Sequence, residues 1–149
     1  MVHLCLLDTK VDKRYTVQIY AERVIGKSSN NKILKIFVDG GTKGSRICIV
    51  DGDTEIIKYR KHNPTNNELE YLAVLYALGY VRDKYKGKNI TIYSDSKLIV
   101  NQLTGKWRVT TPSLKPLWQK CTNMLTKKIK IIWTPREFNR AGWVLDRPF

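Results

Sequence analysis

The sequence predicts an α/β domain in which a mixed β-sheet is covered by helices. Two observations predict it. Three strand-like segments follow one another through tight turns from residue 33, and they give way to an alternation of helix, strand, helices, strand and helix. At 149 residues the chain is also the size of one ordinary domain, with 42% hydrophobic residues to fill its interior.

The first of these strands, residues 33–38, is apolar but for Lys35 and is ended by Asp39-Gly40-Gly41. Residues 46–50 form a second strand, joined to a third over 55–59 through Asp51-Gly52-Asp53, where Asp-Gly signals a hairpin. After Asn63-Pro64, capping side chains at 65–68 open a helix to about Tyr85, with Leu69, Leu72, Ala73, Leu75, Tyr76 and Leu78 at helical spacing. A fourth strand spans 89–93, and Ser94-Asp95-Ser96 caps a short helix closed by Gly105. A helix over 112–125, a fifth strand over 128–133 and a last short helix over 139–146 complete the domain, 33–149. Ahead of it, residues 1–32 form a β-rich extension, with strand-like stretches at 2–7 and 15–25 and a polar linker at 26–31. This extension could add strands to the sheet edge, form a dimer contact or touch substrate, and the oligomeric state stays open.

Twenty-seven Lys and Arg against 13 Asp and Glu leave a net charge of +14, the balance of a polyanion binder. Cys5, Cys48 and Cys121 are an odd set with no close pair, which argues against a disulfide framework or a cysteine zinc site and for buried, apolar roles. No apolar run is long enough for a membrane span and no leader pattern opens the chain, so the expected location is cytoplasmic, with no membrane partner.

Asp39 and Asp95 each stand at a strand end, where open α/β sheets bind their ligands, and Glu70 lies one turn into the first helix. Singly, each acid has an ordinary explanation as turn residue, helix cap or solvated helix acid. Together in this order they suggest carboxylates whose mutual repulsion a divalent cation relieves, with oxygen ligands suited to magnesium or manganese.

These residues resemble the motifs of the type 1 ribonuclease H family: Phe37-Val38-Asp39-Gly40-Gly41-Thr42, Thr65-Asn66-Asn67 followed by Glu70, Tyr93-Ser94-Asp95-Ser96, and Trp133-Thr134-Pro135-Arg136-Glu137 followed by Asn139. The resemblance implies a five-stranded mixed sheet, three antiparallel strands then two parallel additions, and hydrolysis of the RNA strand of RNA·DNA hybrids with two divalent ions, leaving a 5′ phosphate. It makes Asp39, Glu70 and Asp95 metal ligands and Asn66 and Asn67 minor-groove contacts. Gly40, Gly41, Thr42, Lys97, Asn101, Trp107 and Arg136 are further substrate-contact candidates, with Trp107 equally readable as a core aromatic.

The fourth acid departs from the family pattern, because Trp143 stands where an Asp is common. Asp146, one helical turn on, is the favoured replacement, and Glu137 the alternative. Some members carry a histidine before the last helix; here Arg136 or Glu137 would have to take its place. Hybrid affinity would fall to a general basic surface that includes Lys84, Lys86, Lys88 and Lys106, or to the N-terminal segment. Two other functions remain in view: a binding module that keeps the fold without cutting, and another nuclease of the same superfamily.

Overall fold

The computed structural model describes residues 32–148, so the readings placed on the N-terminal extension and on Cys5 lie, but for Lys32, outside the described residues. The elements run β1 (Leu34–Gly41), β2 (Arg46–Asp51), β3 (Thr54–Tyr59), α1 (Asn66–Lys84), β4 (Ile90–Ser94), α2 (Lys97–Leu103), α3 (Lys115–Met124), β5 (Ile129–Trp133) and α4 (Arg140–Leu145), with a 3-10 turn at Arg136–Phe138. The five strands form one sheet in the order β3-β2-β1-β4-β5. β1, β2 and β3 pair antiparallel, and β4 and β5 are added parallel.

Local chemistry explains the boundaries. Gly52, at φ +57°, opens the two-residue turn that pairs Asp51 with Thr54. The Thr65 hydroxyl accepts from the Glu68 amide while the Glu68 carboxylate accepts from the Thr65 amide, a reciprocal cap that starts α1. Ser96 caps α2 and Asn139 caps α4 by a single bond each, a side-chain oxygen accepting from a backbone amide of the first turn. Two boundaries differ from expectation by more than one residue. β1 runs two residues past Asp39, because its pairing with β2 continues to Gly41 opposite Arg46 after its pairing with β4 has stopped at Phe37 opposite Tyr93. α3 begins at Lys115 rather than Pro112, since the Thr111 carbonyl first closes a separate turn on the Leu114 amide and Pro116 lies in the first helical turn.

The strand alternation divides the core in two. Ile36, Val38, Ile47, Ile49 and Ile92 are buried with Leu69, Val74 and Leu78 of α1, whereas Phe37, Cys48 and Val50 are buried with Ala141, Val144 and Leu145 of α4. Cys48 and Cys121 are both fully buried, as a small apolar role requires. Among the described residues no helix is long and apolar enough to cross a membrane.

Gly40 lies where the two layers come closest. A Cβ there would sit 2.5 Å from the carbonyl carbon and oxygen of Leu69 and 2.8 Å from the Glu70 amide nitrogen. The lack of a side chain therefore sets how near α1 approaches β1. Gly40→Ala is expected to destabilise the fold by about 1–3 kcal/mol, because backbone must move to accept the methyl group. A denaturant titration against wild type measures this.

Candidate active site

β1 and β4 pair in parallel as far as Phe37 opposite Tyr93, so Asp39 and Asp95 both lie two residues beyond the last matched pair. The aromatic rings of Phe37 and Tyr93 stack at 5.1 Å beneath them. Glu70 enters from α1 on the other face, and its Oε1 accepts a 2.7 Å hydrogen bond from the Gly40 amide. Asp39, Glu70 and Asp95 each bring a carboxylate oxygen into a group whose members all lie within 4.8 Å of one another. Asp39 is 1% exposed and Glu70 6%, so bulk water screens their repulsion poorly.

That crowding appears in the proton affinities. Burial, then the charge of Asp95, raises the Asp39 carboxyl to about 6 against the pull of Arg136. Burial, then Asp39 and Asp95, raises Glu70 to about 9. Burial and mutual repulsion thus favour a proton held within this pair, with Glu70 raised further than Asp39.

Supporting residues hold this arrangement rigid. The fully buried Asn139 side-chain amide donates to the Val38 carbonyl at 2.9 Å and to Asp95 Oδ2 at 2.8 Å, while its oxygen caps α4. The Trp133 indole N–H donates to the Asp95 carbonyl. Arg46, 5% exposed, donates from Nη2 to the Leu145 carbonyl at 2.9 Å, fixing the end of α4 beside the cleft. Sequence reasoning used Asn139 only as a motif marker and passed over Arg46, although an arginine opening an otherwise apolar strand was a visible signal.

The acids open into a cleft of about 440 Å³ lined also by Gly40, Gly41, Thr42, Asn66, Arg136 and Asp146. Asp146, the C-cap of α4, reaches the group through Arg136 rather than belonging to the tight three, and Glu137 is absent from the lining. Arg136 points into the acids: Nη1 donates to Asp39 and Asp95 and Nη2 to Asp146. Asn66 and Asn67 are exposed at the start of α1. Lys97 lies over the Trp133 ring, 4.8 Å from its centroid. Trp107 is 49% exposed, which overturns the core alternative, and with Lys106, Arg108, Lys115 and Trp118 it lines a second groove. Its amide donates to the Asn101 carbonyl. Lys84, Lys86 and Lys88 do not belong to this surface. They cluster at the far end of α1, a 19-residue helix that starts at the cleft, roughly 27 Å away.

A mixed sheet with acids at the ends of its central parallel pair and a third acid on the first helix defines a domain of the ribonuclease H-like fold. A family model described as reverse transcriptase-like matches residues 43–145, and the chain belongs to this family, in its type 1 ribonuclease H branch. The ribonuclease H1 of Halobacterium salinarum superposes with a TM-score of 0.63 at 27% identity, covering 76% of this chain and 93% of that one. LC11-RNase H1, solved in complex with an RNA/DNA hybrid, gives 0.61 at 28% identity, covering 72% and 88%. The bifunctional protein Rv2228c of Mycobacterium tuberculosis is 27% identical over 116 residues, 70% of this chain and 32% of its own length. The chain spans about a third of the length of the curated relatives it matches.

The raised Glu70 pKa carries a stability prediction. The unfolded chain loses this proton near the ordinary 4.5 and the folded site only near 9, so the folded state binds more protons across that window and loses stability as pH rises through it. Glu70→Gln can still accept from the Gly40 amide and donate to Asp39 without being ionisable. It should stabilise the metal-free protein at pH 8 by about 1–3 kcal/mol and flatten the dependence of Tm on pH between 5 and 8, as thermal melts in chelator would show.

Proposed function

We propose that this chain is an endonuclease that hydrolyses the RNA strand of RNA·DNA hybrids, leaving a 5′ phosphate and a 3′ hydroxyl, with two divalent ions, magnesium or manganese, as cofactors. The observation that carries the reading is the convergence of Asp39, Glu70 and Asp95 within 4.8 Å at the floor of a cleft with Asn66 on its lip.

The residues fit such ions. All the donors are carboxylate oxygens, the set that hard cations prefer, and the site already accommodates a cation in the guanidinium of Arg136. Asp39 and Asp95 would hold the ions, Glu70 would join them on giving up its proton, and Asp146 would supply a fourth carboxylate from the rim. Bound there, divalent ions activate water and stabilise the charge on the phosphate and the leaving oxygen. Asn139 fixes Asp95 through its amide and so sets the direction from which that carboxylate is presented. The cleft opens outward beside Asp146, whose side chain is 62% exposed, so bulk water can take up the proton released in hydrolysis.

Substrate recognition follows the same surface. Asn66 and Asn67 present amides that can pair with 2′-hydroxyls and base edges in the shallow minor groove of a hybrid. Gly41 and Thr42 line the approach to the phosphate, and Lys97 beside Trp133 adds positive charge. The groove built by Lys106, Trp107 and Arg108 offers an exposed ring and two cations to the DNA strand, an arrangement suited to a sugar-phosphate backbone. Asn101 shapes this groove by holding the Trp107 amide. The hybrid complex of the neighbour LC11-RNase H1 supports this choice of substrate.

One observation favours a second reading, a module that binds hybrids without cutting them: Trp143 occupies the helix position where the family commonly carries an acid, and its indole N–H donates to the Glu137 carbonyl. Cleavage of a labelled hybrid separates the two, with single- and double-stranded RNA as controls, in magnesium, manganese and chelator. The expected result is metal-dependent cutting of the hybrid alone. Asp39→Asn should lower the rate by at least about 10³-fold with hybrid binding retained, and Asn139→Ala by about 10- to 100-fold. Asp146→Asn tests the fourth ligand. Tight binding without cutting in either metal would replace the enzyme reading with the module.

A further inference from the structure

Arg136 is placed with more care than a stray surface arginine. It projects from the 3-10 turn between β5 and α4, with its side chain half exposed. Nη1 lies 3.0 and 2.9 Å from the two oxygens of Asp39 and 3.1 Å from Oδ2 of Asp95, while Nη2 lies 3.0 Å from Oδ1 of Asp146. One guanidinium thereby links three acids drawn from β1, the end of β4 and the end of α4. Two of them, Asp39 and Asp95, are the pair that a divalent ion would bridge.

The guanidinium also has a seat. A Cβ on Gly142 would lie 3.3 Å from Cζ of Arg136, 3.4 Å from Nη1 and 3.5 Å from Nε. Gly142 is inside α4, where glycine costs helix stability, and it has no positive φ to require it. The missing side chain leaves room for the flat face of the arginine against the helix. On its other side the arm faces the open cleft, so it can leave without disturbing the core.

We propose that Arg136 is an exchangeable occupant of the metal site, which holds the place of a divalent ion between Asp39 and Asp95 and is displaced when metal binds. The proposal rests on the metal-binding reading above. A positive group already bound by three acids must be removed before an ion can use them, so each ion binds against a competitor tethered to the same chain. The tether supplies that competitor at high effective concentration, and the planar fork suits carboxylates better than a lysine would. The metal-free protein gains an ordered cleft, and metal loading becomes a threshold set by the strength of the arginine's contacts.

Manganese binding measured by the loss of free-ion signal in electron paramagnetic resonance, together with thermal melts in chelator, tests this without reference to activity. Arg136→Ala should bind manganese about tenfold tighter than wild type while melting lower in chelator, given the usual worth of several partly screened ion pairs. Arg136→Lys should fall between the two. Gly142→Ala, which crowds the arm while keeping its charge and favours the helix, should shift affinity in the same direction by less. Should Arg136→Ala fail to fold, Gly142→Ala carries the test, and unchanged affinity there overturns the exchange. Affinity equal to or weaker than wild type in folded Arg136→Ala overturns it while leaving the metal site standing. Absence of manganese binding in every variant, wild type included, overturns the metal-site reading and the exchange together.

Discussion

Three carboxyl groups gathered at the end of two parallel strands create an electrostatic conflict around which the rest of the site is arranged. The conflict follows from strand register: β1 and β4 run side by side with matched pairing, so acids two residues past the last pair must meet. Burial then removes the water that would have screened them. A proton on Glu70, the Gly40 amide, the Asn139 amide and the Arg136 guanidinium each offset part of this repulsion. These groups come from both faces of the sheet, which is why the fold needs a helix on each side.

Much of this was legible in the sequence, for identifiable reasons. Alternating apolar residues, the Asp-Gly turn and the Thr65–Glu68 cap are local signals, and the elements they mark form where expected. Asp39 and Asp95 were readable because each follows an apolar strand segment, and Glu70 because it lies one turn beyond the Thr65–Glu68 cap. What the sequence left hidden depends on distance across the fold. Arg136 could be seen beside a motif, but its direction is set by acids 41 and 97 residues away. Arg46 binds a carbonyl 99 residues away, and no spacing rule reaches that far. Trp107 was undecided between core and surface because an aromatic after a helix-ending glycine suits either, and only the packed loop settles it.

Charge is likewise divided by position more than by amount. At the far end of α1, Lys84 serves structure beside Asp51 and the rings of Tyr80 and Tyr85, whereas Lys97 lies over the Trp133 ring and Lys106 and Arg108 flank Trp107 in the second groove. The total of +14 describes the long-range field, whereas contacts such as that of Lys97 with the Trp133 ring fix individual cations in place.

Cys48 lies opposite Asp39 in the β1–β2 ladder, so a sulfur sits on the strand beside one of the acids. Burial first, and the Asp39 charge next, raise its thiol to about 12, and burial raises Cys121 to about 12 as well. Only the thiolate reacts with oxidants and alkylating agents, and at pH 8 the thiolate of such a group is on the order of one molecule in ten thousand. The chemistry at the mouth of the cleft is thereby insulated from redox conditions around the protein as far as these two sulfurs are concerned. A thiol reagent that modifies either of them would be reporting the opening of the core, at the sheet for Cys48 and between helices for Cys121, and not the state of the surface.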